Sequence, residues 1–532
     1  MKYLFSLIVL LAGLPAFCQK IDIKWSEESK NELNFTAFVL APGNKTIKLC
    51  ESIHKGLLKK TSTPVLSLFD EKLNLVTEYE YPLNDENQKV EDLVNIKGKI
   101  FLFTSLYDKG EKTTNYYCQE LDTKKLATKG KNISMGTFDA VNRKNQSNIS
   151  LEYSADTSKV LAFSLAPYVK KENQKYFINV FDSAMRKIWS KEITLPYTDK
   201  YVDVSDYLVT NDGTVGVVIK NYDKEVVKDK VKVDGENVPG YKTKLLLYNK
   251  NGTEPKEILI DMGNLFVNSL QITNDINGSL YLFGLYRNTY NGFITGYFTV
   301  IVDKNTGEVK KDITEAFSND LVKLISTDNQ GSDREKDPGI SGNFRLKDKI
   351  KRMDGSVDFI LEYYRVEERK SQSGGVGGLV GGVVSVGYTP VIYTYYYGDI
   401  IDIYIKNNGS SVVTRIPKLQ ISTSTIYSHY LAMPLQNKLV ILYNDDKDNL
   451  TRDLNRRPDP VTNFNKCAMA LTVIDADGKF TREMVADNKE MELTTCPGVS
   501  GVLDNNRIAI YAMKGKGLFS ASKDMVGIIT FF

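Results

Sequence analysis

The chain has few histidines and tryptophans for its length. Among 532 residues it contains two histidines, His54 and His429, and two tryptophans, Trp25 and Trp189. Hydrolysis by a serine or cysteine nucleophile normally requires a histidine base, and a zinc site built mainly on histidine requires several of them. The composition therefore argues against both chemistries, and we interpret the two histidines as surface or packing residues.

An excess of charge of one sign is also missing. The chain carries 69 Lys and Arg against 66 Asp and Glu, for a formal net charge of +3. Such a balance gives no electrostatic argument for a nucleic-acid partner, and none is predicted. Beyond the N-terminus, no stretch reaches the roughly 18 uninterrupted apolar residues of a spanning helix, so no transmembrane segment is predicted.

The N-terminus has the pattern of an export signal. Lys2 supplies a positive charge, residues 4–14 are mostly apolar, and the small residues Ala16 and Cys18 precede Gln19. A charged start, a short apolar stretch and a small-residue cleavage site are typical of a secretory signal peptide. We therefore predict a signal peptide over 1–18 and a periplasmic or extracellular protein.

Cysteine usage leaves two questions open. Acylation at Cys18 would make a lipoprotein, but Phe17 stands where a small residue is needed, so lipid anchoring is the less favoured alternative. No Cys-x-x-Cys pair is present, which disfavours a zinc ribbon or a thioredoxin-like centre. Export permits disulfides, and Cys467 with Cys496 is the best local pair; four buried thiols are the alternative. The cysteines that remain after cleavage are Cys50, Cys118, Cys467 and Cys496.

A two-hairpin unit recurs along the chain. Apolar and polar residues alternate around Asp/Asn/Gly turns, which is typical of antiparallel hairpins. One hairpin type occurs at 66–81, 119–130, 178–193, 245–260, 299–313, 402–416 and 471–485. The other occurs at 94–105, 153–164, 208–219, 271–284, 351–363, 433–444 and 501–512, with 38–50 as a weaker first member. Four strands per unit predict an all-β fold built from β-propeller blades.

The two ends of the chain predict how the ring closes. The last unit lacks a fourth strand, whereas residues 20–25 form an alternating strand with no nearby partner. An open blade would leave an unpaired edge, so we predict that the N-terminal strand completes the last blade. This count gives eight blades, or seven if the weak first unit is not a full blade. Two stacked β-sandwich domains are the rival architecture.

Two insertions interrupt the predicted domain, which spans 19–532. The first lies near 314–342, where the apolar spacing within 314–325 predicts a short helix and 326–342 is a polar surface loop. The second lies near 371–388 and is rich in Gly and Val. The residues that give the helical spacing are Phe317, Leu321, Val322 and Ile325.

The Gly/Val-rich insertion is the predicted contact element. Its glycines have GxxxG spacing, but the segment is too short to span a membrane and consecutive glycines weaken a helix. Exposed Val and Leu side chains would be unusual at a surface and are typical of interfaces; a mobile hairpin tip is the alternative. The candidate binding residues are Val376, Leu379, Val380, Val383 and Val384. The tyrosines 393 and 395–397 that follow either line a ligand surface or pack between blades.

The number of Asp and Glu residues leaves catalysis by carboxylates possible. Some propellers are glycosidases with paired acids on innermost strands. The candidate acids are Glu362, Asp399, Asp402, Asp445, Asp446 and Asp448, the last three interpreted as solvated loop acids. The DADG sequence at 475–478 fails the calcium-loop pattern, since its twelfth position is Ala486, and we interpret it as a hairpin turn. No phosphate-binding glycine loop is found, and no cofactor or metal site is predicted.

Several local patterns together resemble a group of secreted proteins. The export signal ending before Gln19, the TND-type hairpins at 210–212 and 273–275 and the YYYGDII strand at 395–401 resemble uncharacterised secreted β-propeller-like proteins of Bacteroidota. The resemblance implies a propeller fold and no catalytic residue. WD-dipeptide repeats, kelch-type glycine pairs and Ser-x-Asp-x-Gly-x-x-Trp boxes are absent from the sequence.

Two functional hypotheses follow. The first is a non-catalytic binding or scaffold protein of the cell envelope, which contacts a protein or glycan partner through 326–342 and 371–388, since loops on a rigid frame carry recognition. The second is a glycan-binding propeller or a carbohydrate-active enzyme with carboxylates in the central channel. An enzyme of that kind would show two acids facing each other at roughly 5 to 10 Å.

Overall fold

The protein is described by a computed structural model and consists almost entirely of antiparallel β-sheet. The described strands form eight sheets of four to six strands and one two-stranded ribbon, which confirms the predicted all-β class. The structure describes residues 20–532 except 31–32, 56–59, 143, 148, 223–228, 234, 253, 275–278, 327–338, 371–390 and 515–522.

The first four sheets each take consecutive strands from the chain. Sheet I contains β3 (Leu33–Ala41), β4 (Lys45–Lys55), β5 (Lys60–Phe69) and β6 (Leu75–Glu80). Sheet II contains β7 (Gln88–Ile96), β8 (Lys99–Asp108), β9 (Thr113–Asp122), β10 (Ala127–Asn142) and β11 (Asn145–Gln146). Sheet III contains β12 (Ile149–Tyr153), β13 (Lys159–Leu165), β14 (Asn173–Asp182) and β15 (Lys187–Thr198). Sheet IV contains β16 (Val202–Val209), β17 (Val215–Tyr222), β20 (Tyr241–Tyr248) and β21 (Lys256–Ile260), with the ribbon β18 (Lys230–Val233) and β19 (Glu236–Pro239) inserted.

The last four sheets follow the same plan, and sheet VIII also takes strands from the N-terminus. Sheet V contains β22 (Phe266–Asn274), β23 (Ser279–Arg287), β24 (Gly296–Asp303) and β25 (Val309–Ala316). Sheet VI contains β26 (Phe344–Lys351), β27 (Val357–Lys370), β28 (Val391–Ile405), β29 (Ser411–Ile416) and β30 (Gln420–Ser422). Sheet VII contains β31 (Tyr430–Leu435), β32 (Lys438–Asp445), β33 (Ala468–Ile474) and β34 (Phe480–Asp487). Sheet VIII contains β35 (Thr494–Thr495), β36 (Gly501–Asp504), β37 (Arg507–Lys514) and β38 (Lys523–Phe531), to which β1 (Ile21–Trp25) and β2 (Ser29–Lys30) pair.

Apolar side chains fill the space between successive sheets. The middle strands, such as β23 and β33, are buried on both faces because a neighbouring sheet covers each face. Between sheets V and VI, for example, the rings of Phe283 and Phe359 stack with centroids 4.0 Å apart. A further cluster joins sheet VIII to sheet I through Tyr511 and Phe38. Each sheet therefore packs on the one before it and the one after it. This packing differs from the rival prediction of two stacked β-sandwich domains.

The innermost strands of different sheets lie next to one another. Contacts join β3 to β7, β12 to β16, β16 to β22, β22 to β26, β26 to β31 and β36 to β3. This is a β-propeller arrangement, in which sheets radiate from a central channel. At the outer side of sheet VIII, β1 pairs antiparallel with β38, from Ile21 opposite Phe531 to Trp25 opposite Gly527.

Short and long connections separate onto opposite faces. Tight turns join the first strand to the second and the third to the fourth, often with a glycine in the left-handed region, such as Gly213 (φ 88°) and Gly355 (φ 85°). Because antiparallel strands alternate in direction, all these turns lie on one face. The described connections from the second strand to the third, and from the fourth strand to the next sheet, lie on the opposite face, which we call the loop face. Loops on a rigid frame are where recognition concentrates.

The loop face carries the inserted elements. The helix predicted within 314–325 is shorter than expected: α1 spans Asn319–Ser326, whereas 314–316 belong to β25. The α1 side chains Leu321, Val322 and Ile325 are buried between sheets V and VI. The polar loop after it is described only in part, with Ile340 bridging to Ile294. A short helix, α2 (Asn488–Met491), follows sheet VII. No helix in the described part of the chain is long and apolar enough to cross a membrane.

Of the two alternatives for the cysteines, the structure has four buried thiols and no Cys467–Cys496 disulfide in the described chain. Cys467 Sγ donates to the Phe464 carbonyl (3.1 Å) and accepts from Asn488 Nδ2 (3.2 Å), whereas Cys496 Sγ donates to the Thr494 carbonyl (3.5 Å). Burial raises the pKa of Cys467 to about 12, so this thiol stays protonated and unreactive.

Candidate functional site

The predicted contact residues cannot be placed. Val376, Leu379, Val380, Val383 and Val384 all lie in 371–390, outside the described residues.

The strands that lead to this segment form a projecting arm. Pairing of β27 with β28 continues past the four-stranded part of sheet VI, from Tyr364 opposite Tyr397 to Lys370 opposite Val391. We call residues 364–370 and 391–397 the arm. Burial of the tyrosines of β28 increases along the strand: Tyr393 is exposed, Tyr395 and Tyr396 are half-buried, and Tyr397 is buried.

The two faces of the arm carry different exposed side chains. Residues opposite each other in an antiparallel pair share a face. One face therefore carries the exposed side chains of Val366, Tyr393 and Val391. On the other face, Tyr396 donates to Glu367 Oε2 (2.7 Å) and the Arg365 guanidinium pairs with the same carboxylate (2.7 Å). The first face also carries the exposed Glu368, opposite Tyr393, and the second face also carries the exposed Ile392. The arm thus exposes apolar side chains on both faces, with charged side chains between them.

A buried ionic cluster lies at the base of the arm. Lys418 Nζ donates to Glu362 Oε1 (2.5 Å), and His429 Nδ1 contacts Glu362 Oε2 (2.8 Å). The side chains of Glu362 and Lys418 are fully buried, and that of His429 is 30% exposed. Burial disfavours ionisation of Glu362, but the charge of Lys418 and the hydrogen bond to His429 outweigh it and lower the pKa of this carboxyl. We call Glu362, Lys418, Gln420 and His429 the Glu362 cluster.

Three loop-face connections hold the cluster in place. Gln420 Oε1 accepts from the His429 backbone N–H (3.0 Å), and Gln420 Nε2 donates to the Asn444 carbonyl (2.8 Å). His429 has a left-handed backbone (φ 74°), which is uncommon for a residue with a side chain. Its Cβ lies only 2.8 Å from where a Cβ at Gly498 would stand, so a glycine is required there.

A row of packed side chains, which we call the aromatic ladder, leads from the cluster to the innermost strand of sheet VI. The His429 ring lies 4.1 Å from the Tyr397 ring, Tyr397 lies 5.0 Å from Tyr364, and the Arg345 guanidinium lies 4.5 Å over Tyr364. The ladder connects the start of sheet VII to β26, the innermost strand of sheet VI. Glu362 orients the imidazole through Nδ1, which leaves Nε2 as the ring nitrogen that can meet a ligand. The interpretation of His429 as a surface or packing residue missed this hydrogen bond to Glu362.

The other candidate carboxylates of sheet VI are also buried, Asp399 beside a cation and Asp402 beside a second carboxylate. Asp399 Oδ2 accepts from Arg415 Nε (2.8 Å). Asp402 lies beside Asp358. Both carboxylate oxygens of Asp358 accept hydrogen bonds from the Arg352 guanidinium. Burial, then the charge of Asp358, raises the pKa of Asp402 well above its usual range.

These acids do not stand where a glycosidase of the predicted kind would place them. Glu362 lies on β27, and Asp399 and Asp402 lie on β28, the second and third strands rather than the innermost one. The prediction of acids facing each other on innermost strands is therefore wrong for these three residues. Each is enclosed between sheets, because the middle strands are covered on both faces.

The acids at the C-terminal end of β32 differ from one another. Asp445 is fully buried, and desolvation raises its pKa to about 7. Its Oδ1 accepts from Asn449 Nδ2 (2.7 Å), and its Oδ2 has no hydrogen-bond partner among the described atoms. Asp446 caps the next helical turn by accepting from the Asp448 N–H (3.0 Å), and Asp448 is exposed. The interpretation of all three as solvated loop acids is wrong for Asp445.

The central channel has its own charges, which sequence reasoning missed. Lys349 Nζ, on β26, donates to Asp206 Oδ2 on β16 (2.8 Å), two sheets away. The acids Asp92, Asp206 and Asp348 each directly follow a β-bulge in an innermost strand. A bulge turns the next side chain to a new direction. The recurring apolar-x-Asp spacing at 90–92, 204–206 and 346–348 is the signal that could have revealed these positions.

No metal centre is found among the described residues, since no group of three or more His, Cys, Asp or Glu side chains could hold an ion. The DADG sequence is a hairpin turn, as interpreted from the sequence: Asp475 Oδ1 accepts from the Asp477 and Lys479 N–H groups (both 2.9 Å).

Comparisons with known proteins give structural similarity only. No family model matches the chain, and no curated protein matches it. The β-propeller domain of the trilobed protease from Pyrococcus furiosus is 11% identical, with a TM-score of 0.38 over 87% of this chain and 98% of that one. The acylaminoacyl peptidase of Pyrococcus horikoshii is 11% identical, with a TM-score of 0.37 over 93% of this chain and 60% of that one. The WD40 domain of SCAP from fission yeast is 8% identical, with a TM-score of 0.36 over 96% and 94%.

Proposed function

We propose that this protein is a non-catalytic binding or scaffold protein of the bacterial cell envelope, exported by its N-terminal signal and related to secreted propeller-like proteins of Bacteroidota. Its frame is an eight-bladed propeller whose last blade is completed by the N-terminal strand. Its recognition elements are the arm and the Gly/Val-rich segment that the arm carries.

The eight-bladed frame is supported by the sheets themselves. Eight sheets of four or more strands follow one another along the chain, and apolar clusters lie between successive sheets. The pairing of β1 with β38 and the packing of sheet VIII on sheet I support closure. A crystal structure viewed along the channel would count the blades directly, and seven would contradict the proposal.

The exposed apolar side chains of the arm are the observation that carries the binding role. Side chains of Val366, Tyr393 and Val391 are exposed on a two-stranded projection, where solvent rather than protein meets them. Contiguous exposed apolar groups of this kind are typical of interaction surfaces. Catalysis through Glu362 or Asp399 is not proposed, because each carboxylate is neutralised by a buried cation.

The test is a crosslinking capture from envelope extract with residues 19–532 as bait. One variant replaces 372–387 by a short Gly-Ser linker, and a second carries Val366→Ser with Tyr393→Ser in the described arm. The matched control is Met484→Ser, which changes an exposed apolar residue on β34.

A partner that is captured by the parent and the control, and lost with both arm variants, is the expected result. Capture of the same proteins by all four baits would contradict a binding role for the arm. A circular-dichroism spectrum of each bait checks that the variants are folded.

A further inference from the structure

Three cavities on the loop face lie side by side around the ribbon β18–β19. Their volumes are about 510, 350 and 300 Å³. Tyrosine contributes to each: Tyr222 and Tyr290 line the first, Tyr222 and Tyr197 the second, and Tyr241 the third. We call the three together the ribbon groove.

The compartments of the ribbon groove share aromatic walls. Tyr222 lines both the first and the second cavity, and Tyr241 lines both the second and the third. The two rings meet edge to face, with centroids 5.5 Å apart. A row of compartments divided by aromatic rings fits a ligand made of repeated ring-sized units.

The dividing rings are held rigidly. Tyr241 Oη accepts from the Val267 N–H (2.8 Å) and donates to the Val267 carbonyl (3.3 Å). Tyr222 Oη donates to Asp229 Oδ1 (3.1 Å). Lys220 Nζ donates to the same Val267 carbonyl (2.9 Å) and lies 5.0 Å over the Tyr241 ring. Such preorganisation lowers the entropic cost of binding.

The charges of the described residues that line the groove cancel. A polyanion such as a nucleic acid requires an excess of cations at its binding surface, and a cationic ligand requires the opposite. The charged side chains that line the three cavities are Lys200, Lys230, Lys242, Asp203, Asp229 and Asp261. Three positive and three negative groups favour a ligand that is neutral and polar.

One polar atom of the groove has no partner. Asn221 lines the middle cavity, and its buried Oδ1 accepts no hydrogen bond from the described chain. A buried acceptor left without a donor costs free energy, and a hydroxyl donor on a ligand would remove that cost.

We propose that the ribbon groove binds a neutral oligosaccharide. The sugar rings occupy successive compartments with their C–H faces on the tyrosines, whose rings offer apolar area at little entropic cost. Hydroxyl groups bond to Asn221 Oδ1 and to the Lys and Asp side chains at the rim. The inference goes beyond the proposed function, because the groove lies in sheet IV and uses no residue of the arm.

The test is isothermal titration of residues 19–532 with neutral hexasaccharides of glucose (α- and β-linked), mannose, xylose and N-acetylglucosamine. Heparin and a dT12 oligonucleotide are included as polyanions. Three variants alter the groove: Tyr222→Ala, Tyr290→Ala and Asn221→Ala. The matched control is Tyr168→Ala, which changes an exposed tyrosine on the connection between β13 and β14.

Binding of at least one neutral hexasaccharide is expected, weakened about ten-fold or more by each tyrosine variant and unchanged by the control. Tyr222→Phe keeps the ring and should retain most of the affinity, which separates loss of stacking from loss of folding. Binding of heparin or dT12 alone, or of none of the probes, would overturn the proposal. Loss of binding in Tyr168→Ala but not in the groove variants would place the site outside the groove and also overturn the proposal.

Discussion

Lys418 and Glu362 form an ion pair in which neither side chain reaches solvent, with Nζ 2.5 Å from Oε1. Lys418 lies on the connection after β29, and Glu362 lies on β27, two strands away. A buried charge is tolerated only with its counter-charge in place. The pair therefore fixes the connection from sheet VI to sheet VII against the base of the arm.

Removal of the cation should be severe. Lys418→Met leaves Glu362 buried with only His429 beside it, and we expect a loss of about 3 to 5 kcal/mol in the free energy of unfolding, measured by urea denaturation. Lys447→Met is the matched control, because the Lys447–Asp487 pair is partly exposed and should contribute about 0 to 1 kcal/mol. The double variant Glu362→Gln, Lys418→Met should recover part of the loss. A Lys418→Met protein as stable as the control would contradict the buried pair.

The backbone at His429 offers a second test. Because φ is 74°, a residue with a Cβ is strained there, and glycine is not. His429→Gly and His429→Ala both lose the contact with Glu362, so the difference between them reports the backbone alone. We expect the glycine variant to be more stable by about 1 kcal/mol in urea denaturation. Equal stability would mean that residue 429 is not in the left-handed region.

The elements that the sequence predicts best are those in which local pattern and burial agree. The hairpin predicted at 178–193, which alternates around an Asp turn, forms β14 and β15. Phe317, Leu321 and Val322, whose spacing predicted a helix, are buried on one side of α1 and of the segment before it. In both cases neighbours in sequence decide the structure.

The features that the sequence missed depend on contacts between distant residues. Glu362 and His429 are 67 positions apart and meet only because loops of two sheets converge. Asp445 looks like a loop acid in sequence, yet the connections of sheet VII cover it.

Burial of Asp445 should make stability depend on pH. Its folded-state pKa of about 7 lies above the ordinary value of 3.8, so the folded protein holds a proton that the unfolded chain releases between these values. The contribution of this group to stability therefore falls as pH rises from about 4 to about 7 and stays low above that. Asp445→Asn should be nearly neutral at about pH 4 and stabilising by up to about 4 kcal/mol at about pH 8.

Urea denaturation across this pH range measures the effect. The exposed Asp448 supplies the matched control, since Asp448→Asn should leave the pH dependence of the parent unchanged. A stability difference between Asp445→Asn and the parent that does not change with pH would show that Asp445 is not protonated on folding.

The seam between β1 and β38 can be tested with two glycines of sheet VIII. A Cβ at Gly527 would stand 2.6 Å from the Trp25 ring, whereas a Cβ at Gly501 would stand 3.6 Å from Phe38. Gly527→Ala must therefore displace Trp25 and loosen β1, while Gly501→Ala meets an ordinary contact distance. Since the chain has two tryptophans, a Trp189→Phe background makes Trp25 the only fluorophore of its kind. We expect a red shift of its emission and faster hydrogen exchange over 21–25 in Gly527→Ala but not in Gly501→Ala. The same spectra for both variants would contradict the pairing of β1 with β38, and with it the proposed closure of the ring.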